Sequence, residues 1–151
     1  MIAYVQGDAL GSDAPLAVAH GCNLIGVMGR GFALAVHQRW PDCYEDYRAL
    51  CSRRHAALGD VHTWICPVTP GRVVFNCFTQ PRPGPCATLD AIEQCLTMVV
   101  SRAREMSINA IAMPWIGCGL GGLSRDDVRA VFERLSTTGV TLMVFDRQSR
   151  R

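Results

Sequence analysis

Short apolar runs alternate along this chain with longer segments in which apolar side chains recur every three or four residues. Positions 61–65 alternate between Val, Thr or Ile and His or Trp, which favours a half-exposed strand. Positions 73–78 are predominantly apolar, as in a buried strand. We predict strands at residues 2–5, 16–19, 61–65, 73–78, 110–113 and 140–145.

Helical periodicity separates these strands. Phe32, Ala35, Val36 and Trp40 fall on one helical face, and we expect Pro41 to end that helix because proline cannot continue it. Further helices are predicted around residues 44–51, 89–99 and 128–135. Alternating strands and helices predict a single α/β domain over residues 1–151. We expect a three-layer α/β/α sandwich with a central mixed, mostly parallel sheet of about six strands.

Two glycine-rich segments follow predicted strands and precede predicted helices: Gly26-Val-Met-Gly29-Arg-Gly31 and Gly117-Cys-Gly119-Leu-Gly121-Gly122. Such a turn exposes backbone N–H groups beside the positive end of a helix dipole, which is an arrangement that binds phosphate. The ligand crevice of a parallel sheet lies beyond the carboxyl ends of its strands, where both segments and a proline-rich loop at residues 79–86 are expected. Two such loops favour a ligand with two linked phosphates.

Composition and charge limit the classes of partner that we expect for this chain. The net charge is +2 and the arginines are scattered, without the basic stripe typical of nucleic-acid binders. The longest apolar runs fall well short of the roughly 20 residues that a membrane span needs. The amino-terminal run has no basic segment before it, unlike a signal peptide, so we expect no membrane partner and a cytoplasmic location.

All fifteen basic residues are arginine, which excludes a P-loop lysine, a Schiff-base lysine and a lysine nucleophile. The eight cysteines show no CxxC spacing. We therefore interpret them as small buried hydrophobic residues in a reducing compartment, and we expect neither a metal nor another cofactor.

The sequence disfavours two enzyme classes, a dinucleotide-dependent enzyme and a hydrolase with a cysteine nucleophile. Gly117, Gly119 and Gly122 match the G-x-G-x-x-G pattern, with Asp146 24 residues further on, but a dinucleotide-binding domain begins with this unit and builds several more strands after it. A nucleophilic Cys118 or Cys22 would need an orienting group and an oxyanion hole, for which the sequence gives no signal.

Four motifs together resemble one known family. They are Gly7-Asp8 after the first strand, Ala19-His20-Gly-Cys-Asn23 with the first glycine segment, Phe75-Asn-Cys-Phe-Thr-Gln80, and Pro114-Trp-Ile-Gly-Cys-Gly-Leu-Gly-Gly-Leu123. In this combination the chain resembles a macrodomain, the ADP-ribose-binding α/β/α module. Its motifs are most similar to the branch that contains the terminal ADP-ribose protein glycohydrolase and the antitoxin that removes ADP-ribose from DNA. The phosphatase that acts on ADP-ribose 1″-phosphate is also similar.

The resemblance implies that Asp8 accepts a hydrogen bond from adenine, that both glycine segments hold the diphosphate, and that Asn23 faces the distal ribose. Phe145 is our candidate for stacking on adenine. The predicted ligand-binding set is Asp8, Ala9, Cys22, Asn23, Gly26, Val27, Met28, Gly29, Arg30, Gly31, Thr79, Gly117, Cys118, Gly119, Leu120, Gly121, Gly122, Leu123 and Phe145.

Two departures from that branch affect the chemistry. That branch has a lysine after the strand that we expect to end near Thr79, and this chain has Gln80 there. The protein-directed enzyme of the branch has an acidic residue in its second glycine loop, where this chain has Gly121. We therefore predict a lysine-independent, water-mediated hydrolysis of ADP-ribosyl esters on proteins, with Asn23, Gln80 and His20 as candidate catalytic residues. A non-catalytic ADP-ribose reader and an ADP-ribose 1″-phosphate phosphatase stay as alternatives. The expected partner is ADP-ribose or an ADP-ribosylated protein, with nucleic acid only as an ADP-ribosylated substrate, and the protein is expected to be a monomer.

Overall fold

The computed structural model describes residues 1–147, which form six strands and four helices. In chain order the elements are β1 (Ile2–Gln6), β2 (Ala17–Asn23), α1 (Gly31–Arg39), α2 (Pro41–Ser52), β3 (Val61–Ile65), β4 (Val73–Gln80), α3 (Leu89–Glu105), β5 (Ala110–Met113), α4 (Arg125–Arg134) and β6 (Thr141–Asp146). Each predicted strand and helix is present. No helix within residues 1–147 combines the length and hydropathy that crossing a membrane requires.

The strands form one sheet in the order β1-β6-β5-β2-β4-β3. All neighbouring pairs are parallel except β3 and β4, which are antiparallel. The predicted mixed, mostly parallel sheet is confirmed. The five parallel strands end at the same side of the sheet, which we call the carboxyl edge, and β3 begins there.

Two hydrophobic cores lie on opposite faces of the sheet, and β4 contributes to both. Phe75 and Cys77 pack with side chains of α3 and α4, whereas Val74 and Phe78 pack with side chains of α1 and α2. This division follows because successive side chains of a strand point to opposite faces. The predicted α/β/α layering is confirmed.

Strands β2 and β4 extend further towards the carboxyl edge than the sequence predicts. Strand β2 includes residues 20–23, and β4 includes residues 79–80, which we expected to start the proline-rich loop. Backbone pairing continues through Cys22 and Phe78, with a register shift before Asn23. The apolar pattern ends earlier than the backbone ladder, so the pattern alone places the strand ends too early.

Pro41 begins one helix as well as ending another. Helix α1 ends at Arg39, and Pro41 is the first residue of α2. Proline suits that position because the first N–H of a helix has no intrahelical acceptor. The predicted end of α1 near Pro41 is confirmed, and α2 begins before residue 44.

Candidate functional site

The carboxyl edge brings together the loops that the sequence singles out. The first glycine loop, residues 24–30, follows β2, and the second glycine loop, residues 114–124, follows β5. The proline loop, residues 81–88, follows β4. Strand β2 lies between β5 and β4, so the three loops start from adjacent strands.

The Asn23 side chain shapes the first glycine loop. Its Oδ1 accepts hydrogen bonds from the N–H groups of Ile25 at 3.1 Å and Val27 at 3.3 Å, and its Nδ2 donates to the Val27 carbonyl oxygen at 2.8 Å. The Tyr47 hydroxyl of α2 donates to the Asn23 carbonyl oxygen at 2.6 Å. In the part of the chain described, one N–H of the Asn23 amide has no acceptor. That N–H is left free to donate a hydrogen bond to another group.

Helix α1 starts without a side-chain cap. Arg30 occupies the N-cap position, its side chain makes no capping hydrogen bond, and the first turn contains no acidic residue. In contrast, the Thr88 and Ser124 side chains cap α3 and α4. The first N–H groups of α1 therefore have no capping partner, and its dipole is not compensated. This helix start can receive an anion.

Backbone hydrogen bonds hold the second glycine loop. The Leu123 N–H donates to the Gly117 carbonyl oxygen at 2.9 Å, and the Ala87 N–H of the proline loop donates to the Gly121 carbonyl oxygen at 3.2 Å. The N–H groups of residues 119–121 donate to no backbone acceptor within residues 1–147. They form a second set of free donors, of the kind that binds phosphate oxygens.

The two glycine loops approach each other across the carboxyl edge. A Cβ on Gly31 would lie 3.6 Å from Cδ1 of Leu120. The start of α1 and the second glycine loop are therefore adjacent, with free N–H groups on both. We call the surface between them the cleft, and the two elements its walls.

Close packing requires glycine at three positions of the second glycine loop. A Cβ at Gly121 would lie 2.8 Å from the Gly117 carbonyl oxygen and 2.9 Å from Cβ of Ala87. A Cβ at Gly122 would lie 2.7 Å from Cβ of Pro85. Gly117 and Gly122 also have positive φ angles, 80° and 83°, which disfavour other residues. The loop packs directly on the proline loop and has no room for an acidic side chain at position 121.

Asp8 and Phe145 lie near each other, at the ends of the adjacent strands β1 and β6. Oδ1 of the exposed Asp8 accepts a hydrogen bond from the Leu10 N–H at 2.9 Å. Cδ1 of Phe145 lies 3.7 Å from the position of a Gly7 Cβ. Among the described residues, the second carboxylate oxygen of Asp8 accepts no hydrogen bond, so it can accept one from a ligand.

Several predicted ligand residues offer only their backbone. The side chains of Ala9, Cys22 and Met28 are buried in the core beneath α1 and α2. Val27 and Arg30 are exposed in the first glycine loop. Contacts of the buried residues with a ligand would use N–H or C=O groups.

The structure places His20, a predicted catalytic residue, in the interior of the protein. Its side chain is 1% exposed, and its Nε2 lies 2.6 Å from Oδ1 of Asn76. Nδ2 of Asn76 lies 3.0 Å from Nδ1 of His62, so the two histidines share this amide. Burial lowers the pKa of His20 to about 4, so its imidazole is neutral at physiological pH. His20 belongs to a buried polar network between β2, β3 and β4.

Gln80 fastens the proline loop. Its Nε2 donates to the carbonyl oxygens of Arg82 at 2.7 Å and Gly84 at 3.2 Å. Both amide hydrogens are then used, and Oε1 is left as an acceptor. Gln80 could accept a hydrogen bond from a water molecule but could not donate one in this arrangement.

Thr79 has a buried hydroxyl without a partner. Its Oγ1 is the one buried side-chain N or O atom within residues 1–147 that makes no hydrogen bond. The position of a Gly21 Cβ lies 2.8 Å from this oxygen and 3.2 Å from Cγ2 of Ile116, at the base of the second glycine loop. Leaving a buried hydroxyl unpaired is costly. A water molecule or another polar group in contact with this oxygen would satisfy it.

The cysteines and metal-binding groups suggest no further chemistry. Burial raises the pKa of the Cys22 and Cys118 thiols, which opposes a thiolate nucleophile at either position. In the region 1–147, no group of three or more His, Cys, Asp or Glu side chains could hold a metal ion.

A cluster that the sequence did not reveal packs around Trp115 of the second glycine loop. The Trp115 ring stacks on Tyr4 at 5.4 Å, and the guanidinium groups of Arg125 and Arg129 lie 5.0 and 5.3 Å from it. Arg125 also donates two hydrogen bonds to Asp146, at 2.7 and 2.9 Å. These residues come from four separate segments, so no local pattern could have identified the cluster.

Comparisons with known proteins agree on one family. The family model described as Macro domain matches residues 19–132. The DNA ADP-ribosyl glycohydrolase of Thermus aquaticus is 29% identical over 150 residues, covering 97% of this chain and 41% of that protein. The chain thus spans about two fifths of the length of that relative.

Solved structures show the same similarity. The macrodomain of Mycobacterium tuberculosis DarG is 28% identical, with a TM-score of 0.85 over 98% of this chain and 99% of that one. A macrodomain protein from Streptomyces coelicolor is 33% identical, with a TM-score of 0.80 over 98% of this chain and all (100%) of that one.

Proposed function

Because this chain belongs to the Macro domain family, we propose that its cleft binds ADP-ribose and that the protein hydrolyses ADP-ribosyl esters on proteins. One observation carries the binding proposal: the uncapped start of α1 and the free N–H groups of residues 119–121 lie on opposite walls of one cleft. Donors on both walls suit two linked phosphates without any lysine.

The order of the strands suggests the orientation of the ligand. Adenine would lie at the β1–β6 end, where the free carboxylate oxygen of Asp8 accepts from its amino group and Phe145 stacks on its ring. The diphosphate would lie between the glycine loops at the ends of β5 and β2. The distal ribose would then lie near Asn23 and Gln80, at the ends of β2 and β4.

The proposed reaction uses water as the nucleophile. Its oxygen attacks the anomeric carbon of the distal ribose, the bond from that carbon to the ester oxygen breaks, and the carboxylate leaves with the bonding electrons. The proton lost by the water passes to solvent. A carboxylate can leave without prior protonation, so this substrate needs no strong general acid. Oε1 of Gln80, the free N–H of Asn23 or a ligand phosphate would position the water.

The named activity of the Thermus aquaticus relative favours a second candidate, the removal of ADP-ribose from DNA. Arg30 and Arg82 are exposed on two loops of the carboxyl edge and form no ion pair within residues 1–147. A nucleic-acid backbone near the cleft would meet both guanidinium groups. A sugar or base is a poorer leaving group than a carboxylate, so the ester is the substrate that this chain's groups suit better.

Calorimetry with ADP-ribose tests binding, and no heat at high micromolar protein would contradict the hydrolase and the reader together. Activity is tested on protein ADP-ribosylated at glutamate, on single-stranded DNA carrying ADP-ribose, and on ADP-ribose 1″-phosphate. Release from protein supports the ester hydrolase. Release from DNA alone supports the second candidate, phosphate release supports the phosphatase, and binding with all three substrates unchanged indicates a reader.

We further propose that residues 1–151 act as one monomeric domain without a cofactor and in the cytoplasm. All eight cysteines are free thiols, which suits a reducing compartment. Analytical ultracentrifugation should give a single species near 16.5 kDa. A stable dimer at micromolar concentration would contradict the monomer.

A further inference from the structure

Strand β3 is an edge strand with an open outer side. Its residues 61–65 pair with residues 73–77 of β4, and no strand within residues 1–147 lies beyond it. Antiparallel pairs alternate between hydrogen-bonded and non-hydrogen-bonded positions. The Phe78 N–H donates to the Asp60 carbonyl oxygen at 3.0 Å, so the even-numbered residues of β3 bond to β4. The odd-numbered residues direct their N–H and C=O groups outward.

The far end of this outer side is exposed. At the start of β3, Arg102 donates to the Val61 carbonyl oxygen at 2.6 Å and to Oγ1 of Thr63 at 2.7 Å. The first of these bonds agrees with an outward-pointing carbonyl group at Val61. Beyond that contact, no backbone partner outside the β3–β4 ladder is found among residues 1–147 for Thr63 and Ile65. The Ile65 side chain is 63% exposed.

A groove of about 460 Å³ follows this edge between β3 and α2. Asp42, Glu45 and Asp46 line its α2 side, and no arginine or histidine lines it. Of the three, only Glu45 forms an ion pair in the described chain, with Arg48 at 3.6 Å. Unpaired strand groups beside uncompensated carboxylates favour a cationic strand.

We propose that this edge binds an extended, basic segment of another protein, which adds to the sheet as a strand beside β3. Successive side chains of an added strand point to opposite faces. Those on the α2 face would meet Asp42 and Asp46 and should be arginine or lysine. Those on the other face would lie beside Ile65 and should be apolar. The fitting segment therefore alternates basic and apolar residues.

Charge opposes a second copy of this chain as the occupant. Antiparallel pairing of two β3 edges in one continuous sheet would place both α2 helices on the same face, beside the shared seam. The carboxylates of Asp42 and Asp46 would then meet those of the other copy, and like charges facing each other are destabilising.

The probe for this proposal is a fluorescein-labelled peptide of about six residues that alternates arginine with valine or leucine. One control peptide has the same composition with the arginines in a block, and another replaces arginine with glutamate. We expect saturable binding by fluorescence anisotropy for the alternating basic peptide, weaker binding for the block peptide, and none for the acidic one.

Ile65→Pro tests the edge directly. The Ile65 N–H points away from β4, so this change removes an outward donor and leaves the bonds to β4 in place. Proline is tolerated on the open side of an edge strand. We expect it to weaken peptide binding by about tenfold. The matched Ile65→Thr variant keeps the N–H and should weaken binding by only about twofold to threefold. Asp42→Asn with Asp46→Asn should weaken it by about fivefold.

Calorimetry with ADP-ribose serves as the control for folding and should give the same affinity in all these variants. Equal binding of the alternating and block peptides, or unchanged binding after Ile65→Pro, would overturn the proposal. Absence of peptide binding, together with a dimer that Ile65→Pro abolishes, would also overturn it and identify a second copy as the occupant.

Discussion

Asn23 and Gln80 use most of their amide groups on the protein itself. Asn23 holds the first glycine loop, and Gln80 holds the proline loop. The groups left free to meet a ligand are mainly backbone N–H donors. Side-chain substitutions in the cleft should therefore act mainly through loop shape, or through bulk and charge placed where the ligand lies.

Gly29→Glu should abolish ADP-ribose binding, with a loss of at least about a hundredfold, because it places a carboxylate beside the proposed diphosphate site. A Cβ at Gly29 would meet only Cγ1 of Val27, at 3.6 Å, so the variant should fold. Calorimetry measures the affinity. Thr138→Glu adds the same charge at an exposed position between α4 and β6, at the opposite edge of the sheet, and should bind normally. Equal losses in both variants would mean that net charge, and not the placement of the first glycine loop, governs binding.

Gly121→Ala and Gly119→Ala form a matched pair in the second glycine loop. The first introduces a Cβ 2.8 Å from the Gly117 carbonyl oxygen, whereas a Cβ at Gly119 meets nothing within 4 Å. We expect Gly121→Ala to lower the melting temperature by about 3–10 °C and Gly119→Ala to leave it nearly unchanged. Differential scanning calorimetry measures both. Similar melting temperatures would show that the loop moves aside at little cost.

Among the elements, α1 has the feature most closely tied to the proposed ligand. Its N-cap residue is Arg30, whose backbone has the extended conformation of a capping residue, at φ −147° and ψ 159°. The arginine side chain makes no capping hydrogen bond. Arg30→Asp should add a cap and compensate the dipole, stabilising the protein by about 1 kcal/mol. The same carboxylate should occupy the anion site and weaken ADP-ribose binding.

Urea unfolding and calorimetry measure these two opposite effects. Arg30→Ala removes the guanidinium without adding a cap, so it isolates the contribution of the new carboxylate. A variant that gained stability and kept its affinity would show that the start of α1 does not meet the ligand.

The sequence predicts elements well here because each helix and strand buries a regular apolar face. It locates both glycine loops because glycine marks turns directly. The extension of β4 to Thr79 and Gln80 escapes prediction, since pairing with β2 holds those residues in the ladder after the apolar run has ended. The hydrogen bond between His20 and Asn76 could not be predicted either, because it depends on the register of β2 against β4. The pattern of residues along the sequence does not contain that register.

At the scale of the whole molecule, the buried histidine network makes stability depend on pH. The pKa of His20 falls from 6.5 in the unfolded chain to about 4 in the folded one because of burial. Above pH 6.5 the imidazole is neutral in both states. As the pH falls from 6.5 to 4, the unfolded chain binds a proton that the folded chain excludes, so stability is lost over this range. Burial also lowers the pKa of His62, with the same sign.

His20→Gln removes this titration and keeps an amide donor near Asn76. Between pH 7 and pH 5, the wild-type protein should lose about 2 kcal/mol more stability than the variant. Urea unfolding at the two pH values measures the difference. Equal losses in both proteins would show that His20 does not titrate differently in the two states.

The bond between Ala87 and Gly121, and the contacts of Gly122 with Pro85, tie the second glycine loop to the proline loop before any ligand arrives. Because these loops are already ordered, binding of ADP-ribose should require little further ordering of the protein. Association should therefore be a single step whose observed rate rises linearly with ADP-ribose concentration. Variants that loosen this tie should then differ mainly in how long the ligand stays. Residence time, more than arrival rate, would set how tightly this cleft holds its ligand.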